Sequence, residues 1–393
     1  MNRRKEVTAD AAGSGMDNSA PLVLPMGGPV HSRNYGIDFL RCLSMFFVVL
    51  LHVLKWGEAG NLANNTLGTP NYAVSWFLEL SAFCAVNSFA LITGYVGVRV
   101  PHRISRFINL WFQVFFYTVG ITFLFKWLMP GSVNLKGMFQ AFFPVLRMAY
   151  WYFTAYAVLF FFIPFLNTLI RSLGRESAKW LCLLIFIIFS LLSTISGNED
   201  WLSHGGYSAI WLGCLYVAGG CISHFQLWST LKRPAFYYLL CCLLATAGML
   251  AWDYLPFRQG ISEKLFAVYT APFCCLCSFF LLQACARMRI TSRAAIRLIS
   301  LLAPFSFAVY LIHSNPLVWH HVMKGRFAVL QDSPWYIMAA GALGISLGIY
   351  LACSMIDSVR SVLFRLLHIR ELSVKLEAVL SKLKQWILRS IPS

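Results

Sequence analysis

The sequence predicts an all-α, polytopic membrane protein, on three observations. Hydrophobic residues make up 59% of the 393 residues, whereas charged residues make up only 12%, about half the share that soluble domains carry. Apolar runs of about twenty residues, long enough to cross roughly 30 Å of hydrocarbon as helix, recur along the chain. Lys and Arg concentrate in alternate connecting segments, as in membrane topologies. The composition therefore excludes an ordinary soluble globular protein.

About ten transmembrane helices are expected. We place them at residues 35–56, 73–98, 107–129, 150–170, 180–196, 207–225, 235–255, 265–286, 298–319 and 335–357. If the first span starts inside, 23 of the 32 Lys and Arg fall on the cytoplasmic side and eight on the outer side. This asymmetry predicts that both termini are cytoplasmic. It also accounts for the net charge of +17 without a nucleic acid partner.

Three regions follow from the same pattern. Residues 1–32 are polar and lack apolar periodicity, which predicts a disordered cytoplasmic tail. Residues 33–360 form the ten-helix membrane domain. Residues 361–393 place apolar and basic side chains at helical spacing, which predicts an amphipathic helix on the anionic inner leaflet. A short helix docked on the cytoplasmic loops would explain this last pattern equally well.

The 12 cysteines fall almost entirely inside apolar runs, and the predicted outer loops contain none. A zinc site would need Cys and His arranged on accessible segments. We therefore expect small packed thiols, without disulfides and without a metal site.

The first span carries three ionisable residues, Asp38, Arg41 and His52. Such residues are costly inside a bilayer, so each is a functional candidate. Arg41 and His52 are eleven residues apart, which puts them about 20° apart around the helix, with His52 about 16 Å further out. An imidazole is suited to general base catalysis near neutral pH. The pair of Asp38 and Arg41 could instead only lock the helix to its neighbours, and that explanation is equally good.

Glu79 lies in the second span at about the predicted depth of His52. A carboxylate there would accept the second ring proton of His52 and orient the imidazole. We therefore take Glu79 as a candidate orienting partner. Pairing of Glu79 with an outer lysine, or contact with water, is at least as good an explanation.

Two polar and aromatic groups lie at the predicted outer halves of other spans. Trp151 and Tyr152 open the fourth span, where an interfacial aromatic belt is the commoner explanation. Tyr310 and His313 interrupt the apolar ninth span, shortly before a proline. These four residues are candidates for lining an acceptor site.

Three arginines, Arg99, Arg103 and Arg106, share one short loop on the predicted cytoplasmic side. The positive-inside rule explains part of this charge. Guanidinium groups also bind phosphate through two parallel hydrogen bonds, so the loop is a candidate site for a phosphate-rich ligand.

The segment from Tyr35 to Arg41, followed after ten intervening residues by His52, resembles the opening signature of the acyltransferase family 3 membrane proteins. Further similar segments run in the family's order from residue ~33 to ~320. They are Val86–Phe89, Ile92–Tyr95, Arg103 with Arg106, Trp151–Phe153, Pro164–Asn167, Phe305–Phe307 and Tyr310–His313.

The resemblance implies an enzyme of the cytoplasmic (inner) membrane that acylates a hydroxyl of a surface polysaccharide or a lipid-linked sugar. Its co-substrate would be an acyl-CoA, usually acetyl-CoA, bound from the cytoplasm, with no resident cofactor. His52 would deprotonate the acceptor hydroxyl or carry the acyl group. Arg41 with Asp38 would hold the inner end of the donor or of the helix. Arg103 and Arg106 would clamp the CoA phosphates.

Two other function classes also fit ten spans with a polar interior. One is a transporter or flippase of a lipid-linked saccharide, which should neither bind nor hydrolyse acetyl-CoA. The other is a non-catalytic partner of a polysaccharide synthase. The sequence is equally compatible with a homo-oligomer.

Overall fold

The computed structural model describes residues 33–60, 62, 67–197, 202–253 and 265–390. The predicted disordered tail at 1–32 lies outside the described residues. Within them the chain is helical and contains no β-strand.

Ten apolar helices account for most of the described chain. They are α1 Tyr35–Trp56, α2 Pro70–Gly97, α3 Ile104–Leu128, α4 Trp151–Ser172, α5 Arg175–Ser196, α6 Ala209–Phe225, α7 Pro234–Asp253, α8 Pro272–Ala286, α9 Arg293–His313 and α10 Trp335–Leu366. Eight are long and apolar enough to cross a membrane, whereas α6 and α8 are shorter. Each coincides with one predicted segment, so the expectation of an all-α, multi-pass membrane protein is confirmed. The number of crossings and the side of each terminus stay predictions.

Three boundaries differ most from the predicted ones. Helix α8 begins only at Pro272, a residue suited to a first helical turn. Helix α9 ends at His313, close to Pro316, which cannot continue it. Helix α10 continues to Leu366, and the helical path is interrupted at His368, whose φ of 52° is left-handed. The predicted division between 360 and 361 therefore falls inside a helix.

Helix α1, which carries the three ionisable residues, lies at the centre of the bundle. It packs against α2, α8, α9 and α10. Its first turn is capped by Asn34, whose side-chain oxygen accepts hydrogen bonds from the amides of Gly36 and Ile37. The Asn34 amide also donates to the carbonyl of Ala286, 2.9 Å away. This contact fixes the start of α1 against the end of α8.

Helices α2 and α6 cross in close contact at glycines. A Cβ atom on Gly94 would lie 1.9 Å from the carbonyl oxygen of Tyr216, and one on Gly219 would lie 2.1 Å from that of Leu91. Small residues allow such close approach of membrane helices. The crossing fixes α2, which forms one wall of the site described below.

We expect Gly94→Ala to destabilise the protein, because the added methyl group forces the two backbones apart. Overpacking of this kind costs about 1–3 kcal/mol, so the thermal unfolding temperature in detergent should fall clearly. Gly120→Ala is the matched control, since a Cβ at Gly120 meets no atom within 4 Å. An equal effect of both changes would contradict the role of the crossing.

The tail forms a helix, α11 Ile369–Ser390, that packs against α3. Glu377 of α11 accepts a hydrogen bond from the amide of Ile104, 2.7 Å away. Hydrogen bonding from the Ser105 hydroxyl, then from backbone amides, and the charge of Arg103 lower the pKa of Glu377 from its usual value. This contact should weaken as the pH falls through that lowered pKa. Docking on neighbouring segments is thus observed, whereas contact with an anionic leaflet stays a prediction.

Candidate active site

A cavity of about 680 Å³ opens between α1, α2, α4 and α9. Both Arg41 and His52 of α1 line it. The prediction that these two side chains share one face of the first helix is therefore confirmed. We call this space the histidine cavity.

The His52 ring is held by a second histidine. His52 Nδ1 lies 2.9 Å from Nε2 of His313, the last residue of α9. His313 itself is buried, and its Nδ1 atom hydrogen-bonds the carbonyl of Val309, one turn back on the same helix. The two rings and the carbonyl thus form a chain of hydrogen bonds between α1 and α9.

This chain assigns the protons on both rings. A carbonyl only accepts, so His313 Nδ1 must carry a hydrogen. Because apolar surroundings disfavour charged rings, His313 is neutral and its Nε2 accepts the hydrogen bond from His52 Nδ1–H. The lone pair of His52 therefore sits on Nε2, an atom that makes no hydrogen bond within the described residues. This arrangement leaves Nε2 of His52 as the atom that can act as a base or a nucleophile.

Two π-helical turns meet beside this ring. One covers His52–Trp56 at the end of α1, and the other covers Trp319–Met323 after α9. The Trp319 ring packs edge-on against His52, with the ring centroids 4.9 Å apart, and lies 5.3 Å from the ring of Trp56. Such turns often occur at functional sites. Here they place an indole against the imidazole and restrict its rotation.

The pair of Asp38 and Arg41 forms as predicted, with 2.7 Å between Arg41 NH1 and Asp38 Oδ1. Asp38 is buried and the Arg41 side chain is about one third exposed. Arg41 lines the histidine cavity and also a second one. The ion pair therefore holds the guanidinium at a cavity wall in addition to joining two turns of α1.

Glu79 is buried in α2 and does not line the histidine cavity, so its orienting role stays a prediction. The His52 ring donates its hydrogen bond to His313, and no hydrogen bond or ion pair joins Glu79 and His52 within the described residues. Seven residues before Glu79 on the same face of α2, the hydroxyl of Tyr72 bonds Asp253 of α7. The helical spacing therefore puts Glu79 on the side of α2 that packs against α7. The sequence predicts the depth of Glu79 in the membrane. The rotation of α2 about its axis, which decides where Glu79 points, is set by packing between helices.

The second cavity, of about 240 Å³, contains Arg103 and Arg106 together with Arg41. We call it the arginine cavity. It shares Arg41, Phe89, Thr93 and Tyr156 with the histidine cavity. The two spaces therefore adjoin, one at the arginine end of the bundle and one at the histidine end, with Arg41 at their junction.

Arg99 lies apart from the other two arginines. Its guanidinium donates to the carbonyl of Ser223 and lies over the ring of Tyr95, 5.7 Å from the centroid. It does not line the arginine cavity. Arg99 therefore joins the end of α2 to α6, whereas Arg103 and Arg106 line the arginine cavity. The turn after α2 directs the three side chains to different places.

Three of the four acceptor-site candidates line the histidine cavity: Trp151, Tyr152 and Tyr310. The Trp151 ring packs against Tyr207 and Tyr269, with ring centroids 4.6 and 5.7 Å apart. Tyr269 is buried, so the Trp151 ring packs on the protein interior as well as lining the cavity. His313, the fourth candidate, supports His52 from behind and does not line the cavity.

Sequence reasoning missed Trp319, Tyr150 and the role of His313. Asn315 donates to the hydroxyl of Tyr150, 2.9 Å away, and that hydroxyl donates to the carbonyl of Leu311. This network ties the end of α9 to the start of α4. The polar residues before Pro316 indicated that the end of α9 is functional. Nothing in the sequence, however, pairs Tyr150 with Leu311 or His52 with His313, which are 161 and 261 positions apart.

Comparison with known protein families gives a match over most of the chain. The acyltransferase 3 family model, described as an acyltransferase domain, matches residues 34–353. No curated protein and no solved structure gives a significant match to the chain. The match spans α1 through most of α10, including both cavities. The chain therefore belongs to the acyltransferase 3 family of membrane proteins.

Proposed function

We propose that this protein moves an acyl group, most simply acetyl, from cytoplasmic acyl-CoA to a hydroxyl of a cell-surface polysaccharide or a lipid-linked sugar, in the cytoplasmic membrane. The observation that carries the proposal is the adjoining pair of cavities. Arginines line one, an imidazole with a defined lone pair lines the other, and Arg41 lies between them.

The donor would bind in the arginine cavity. CoA carries several phosphate groups, and Arg103 and Arg106 offer guanidinium donors to them. The pantetheine arm would extend past Arg41 toward His52, a distance of about 16 Å along α1. Arg41 could then contact the arm while its partner Asp38 keeps it oriented.

The transfer uses the lone pair on His52 Nε2. As general base, His52 takes the proton of the acceptor hydroxyl as its oxygen attacks the thioester carbonyl. The new C–O ester bond forms, the C–S bond breaks, and the proton passes to the CoA thiolate. As nucleophile, Nε2 would attack the thioester first, forming an N–C bond as the C–S bond breaks and CoA leaves as the thiolate. The acceptor hydroxyl would then attack the acyl group, the N–C bond would break, and the hydroxyl proton would pass to Nε2 and on to the thiolate. Both routes need the same atom and the same tautomer.

We expect Arg103→Gln and Arg106→Gln each to weaken acetyl-CoA binding by about tenfold, because each removes a charge-assisted contact to phosphate. Equilibrium binding of acetyl-CoA to the purified protein in detergent measures this. Arg175→Gln is the matched control, since Arg175 is exposed at the same end and outside both cavities.

Two outcomes would contradict the donor site. Absence of acetyl-CoA binding by the wild-type protein would remove the acyl-CoA dependence and would favour a transporter of lipid-linked saccharides. Unchanged affinity in the double variant at Arg103 and Arg106, with intact folding, would place the donor elsewhere. Release of CoA on addition of an acceptor sugar would support the transfer reaction directly.

A further inference from the structure

A third cavity, of about 430 Å³, adjoins the histidine cavity at the histidine end of the bundle. Its walls come from α3, from the short helix Leu135–Ala141 and from the segments before α4 and after α9. It shares Met148, Ala149 and Pro316 with the histidine cavity. We call it the amide cavity, because Asn134, Gln140 and Asn315 line it.

Some of these polar groups are already engaged. Asn134 accepts from the amide of Gly137, and Asn315 bonds both Leu317 and Tyr150. The side chains of Gln140 and Arg147, by contrast, make no hydrogen bond or ion pair within the described residues. The cavity therefore presents an amide and a guanidinium whose donors are available to a ligand.

The charge around this cavity is positive. Besides Arg147, the neighbouring chain carries Lys126, whose Nζ donates to the carbonyl of Val133 at 3.1 Å, and Lys136. The sequence contains no Asp or Glu between Glu79 and Glu176. No acidic residue of this segment neutralises the positive charge, which therefore favours an anionic ligand. A planar guanidinium is suited to phosphate in particular.

The outer wall of the amide cavity is amphipathic. Leu135 and Phe139 of the short helix are 82% and 68% exposed, and Leu146 beyond it is 82% exposed. Gly137, Gln140 and Ala141 of the same helix face the cavity. Exposed apolar side chains on a segment between two membrane helices are expected to contact lipid. We therefore expect the polar cavity to lie beside lipid hydrocarbon.

We propose that the amide cavity binds the phosphate-bearing head of a lipid-linked sugar, with the lipid chain along Leu135, Phe139 and Leu146. The sugar would then reach His52 through the shared wall at Met148, Ala149 and Pro316. Arg147 contacts the phosphate and Gln140 a hydroxyl or phosphate oxygen. This inference rests on the proposed function and narrows its acceptor to the lipid-linked form.

Binding of geranylgeranyl diphosphate to the full chain tests the proposal. The protein is placed in phosphatidylcholine nanodiscs, with empty nanodiscs as the reference. We expect saturable binding that Arg147→Gln weakens about tenfold and that Arg147→Lys weakens less. Arg326→Gln is the matched control and should not change the affinity. Arg326 is an exposed arginine at the same end, outside the amide cavity, and its guanidinium donates to the carbonyl of His321.

Two further arms identify what is recognised. Geranylgeraniol, which lacks the phosphates, should not compete, and inorganic diphosphate should compete far more weakly than the lipid. Equal competition by inorganic diphosphate would mean a site for free anions and would overturn the proposal. So would unchanged binding in Arg147→Gln.

The test is independent of acyl transfer, because His52→Ala should bind the lipid as the wild type does. Lipid binding without any acyl transfer would leave this site in place and contradict only the proposed function. Transfer to a polymeric glycan without Arg147-dependent lipid binding would contradict only this inference.

Discussion

Replacing His52 with alanine should lower acyl transfer by about 10²- to 10⁴-fold, the usual effect of removing a general base or nucleophile. Acetyl-CoA binding should stay near the wild-type value, because the arginine cavity is unchanged. The mass of envelope glycans from cells carrying wild-type or His52→Ala protein measures the loss, and purified protein gives the rate.

His224→Ala is the control, since His224 is exposed at the arginine end and lies outside both cavities. Full acylation of the glycan by His52→Ala would contradict the assignment of His52. An added acyl mass on wild-type protein that is absent from His52→Ala would favour the nucleophilic route. Transfer without such an intermediate would favour general base catalysis.

Replacing His313 with leucine should lower kcat by at least about 10- to 10²-fold, the range found when a hydrogen-bonding partner of a functional histidine is removed. Leucine cannot accept the hydrogen from His52 Nδ1, so the lone pair on Nε2 is no longer favoured. Dissociation constants for acetyl-CoA should not change. Steady-state kinetics with purified protein separate the two quantities.

His313→Gln is the matched variant, because its side-chain carbonyl still accepts a hydrogen bond. It should retain more activity than His313→Leu at equal amounts of folded protein. Equal losses in both variants, or a loss that follows only the unfolding temperature, would indicate a packing role. The pH dependence of kcat should also differ between them, since only one keeps the tautomer fixed.

The helical period gave its most specific prediction at α1. Arg41 and His52 were placed on one face because residues of a single helix have a fixed angular relation. The same reasoning could not orient Glu79 relative to His52, since two helices share no common angular reference until they pack. Arg99 shows the same limit within a loop, because a turn of three residues directs neighbouring guanidinium groups to different places.

The sequence by itself determined the all-α membrane architecture, the positions of the apolar segments and the shared face of α1 that holds Arg41 and His52. These properties depend on composition and on the local geometry of one helix. Only the tertiary structure decided that His313 and Trp319 hold the His52 ring. It also decided that the cavity lined by Arg103 and Arg106 adjoins the cavity of His52, with Arg41 lining both. It also decided that Arg147 opens into a neighbouring polar cavity. Those relations join residues far apart in the chain, and packing between helices sets them.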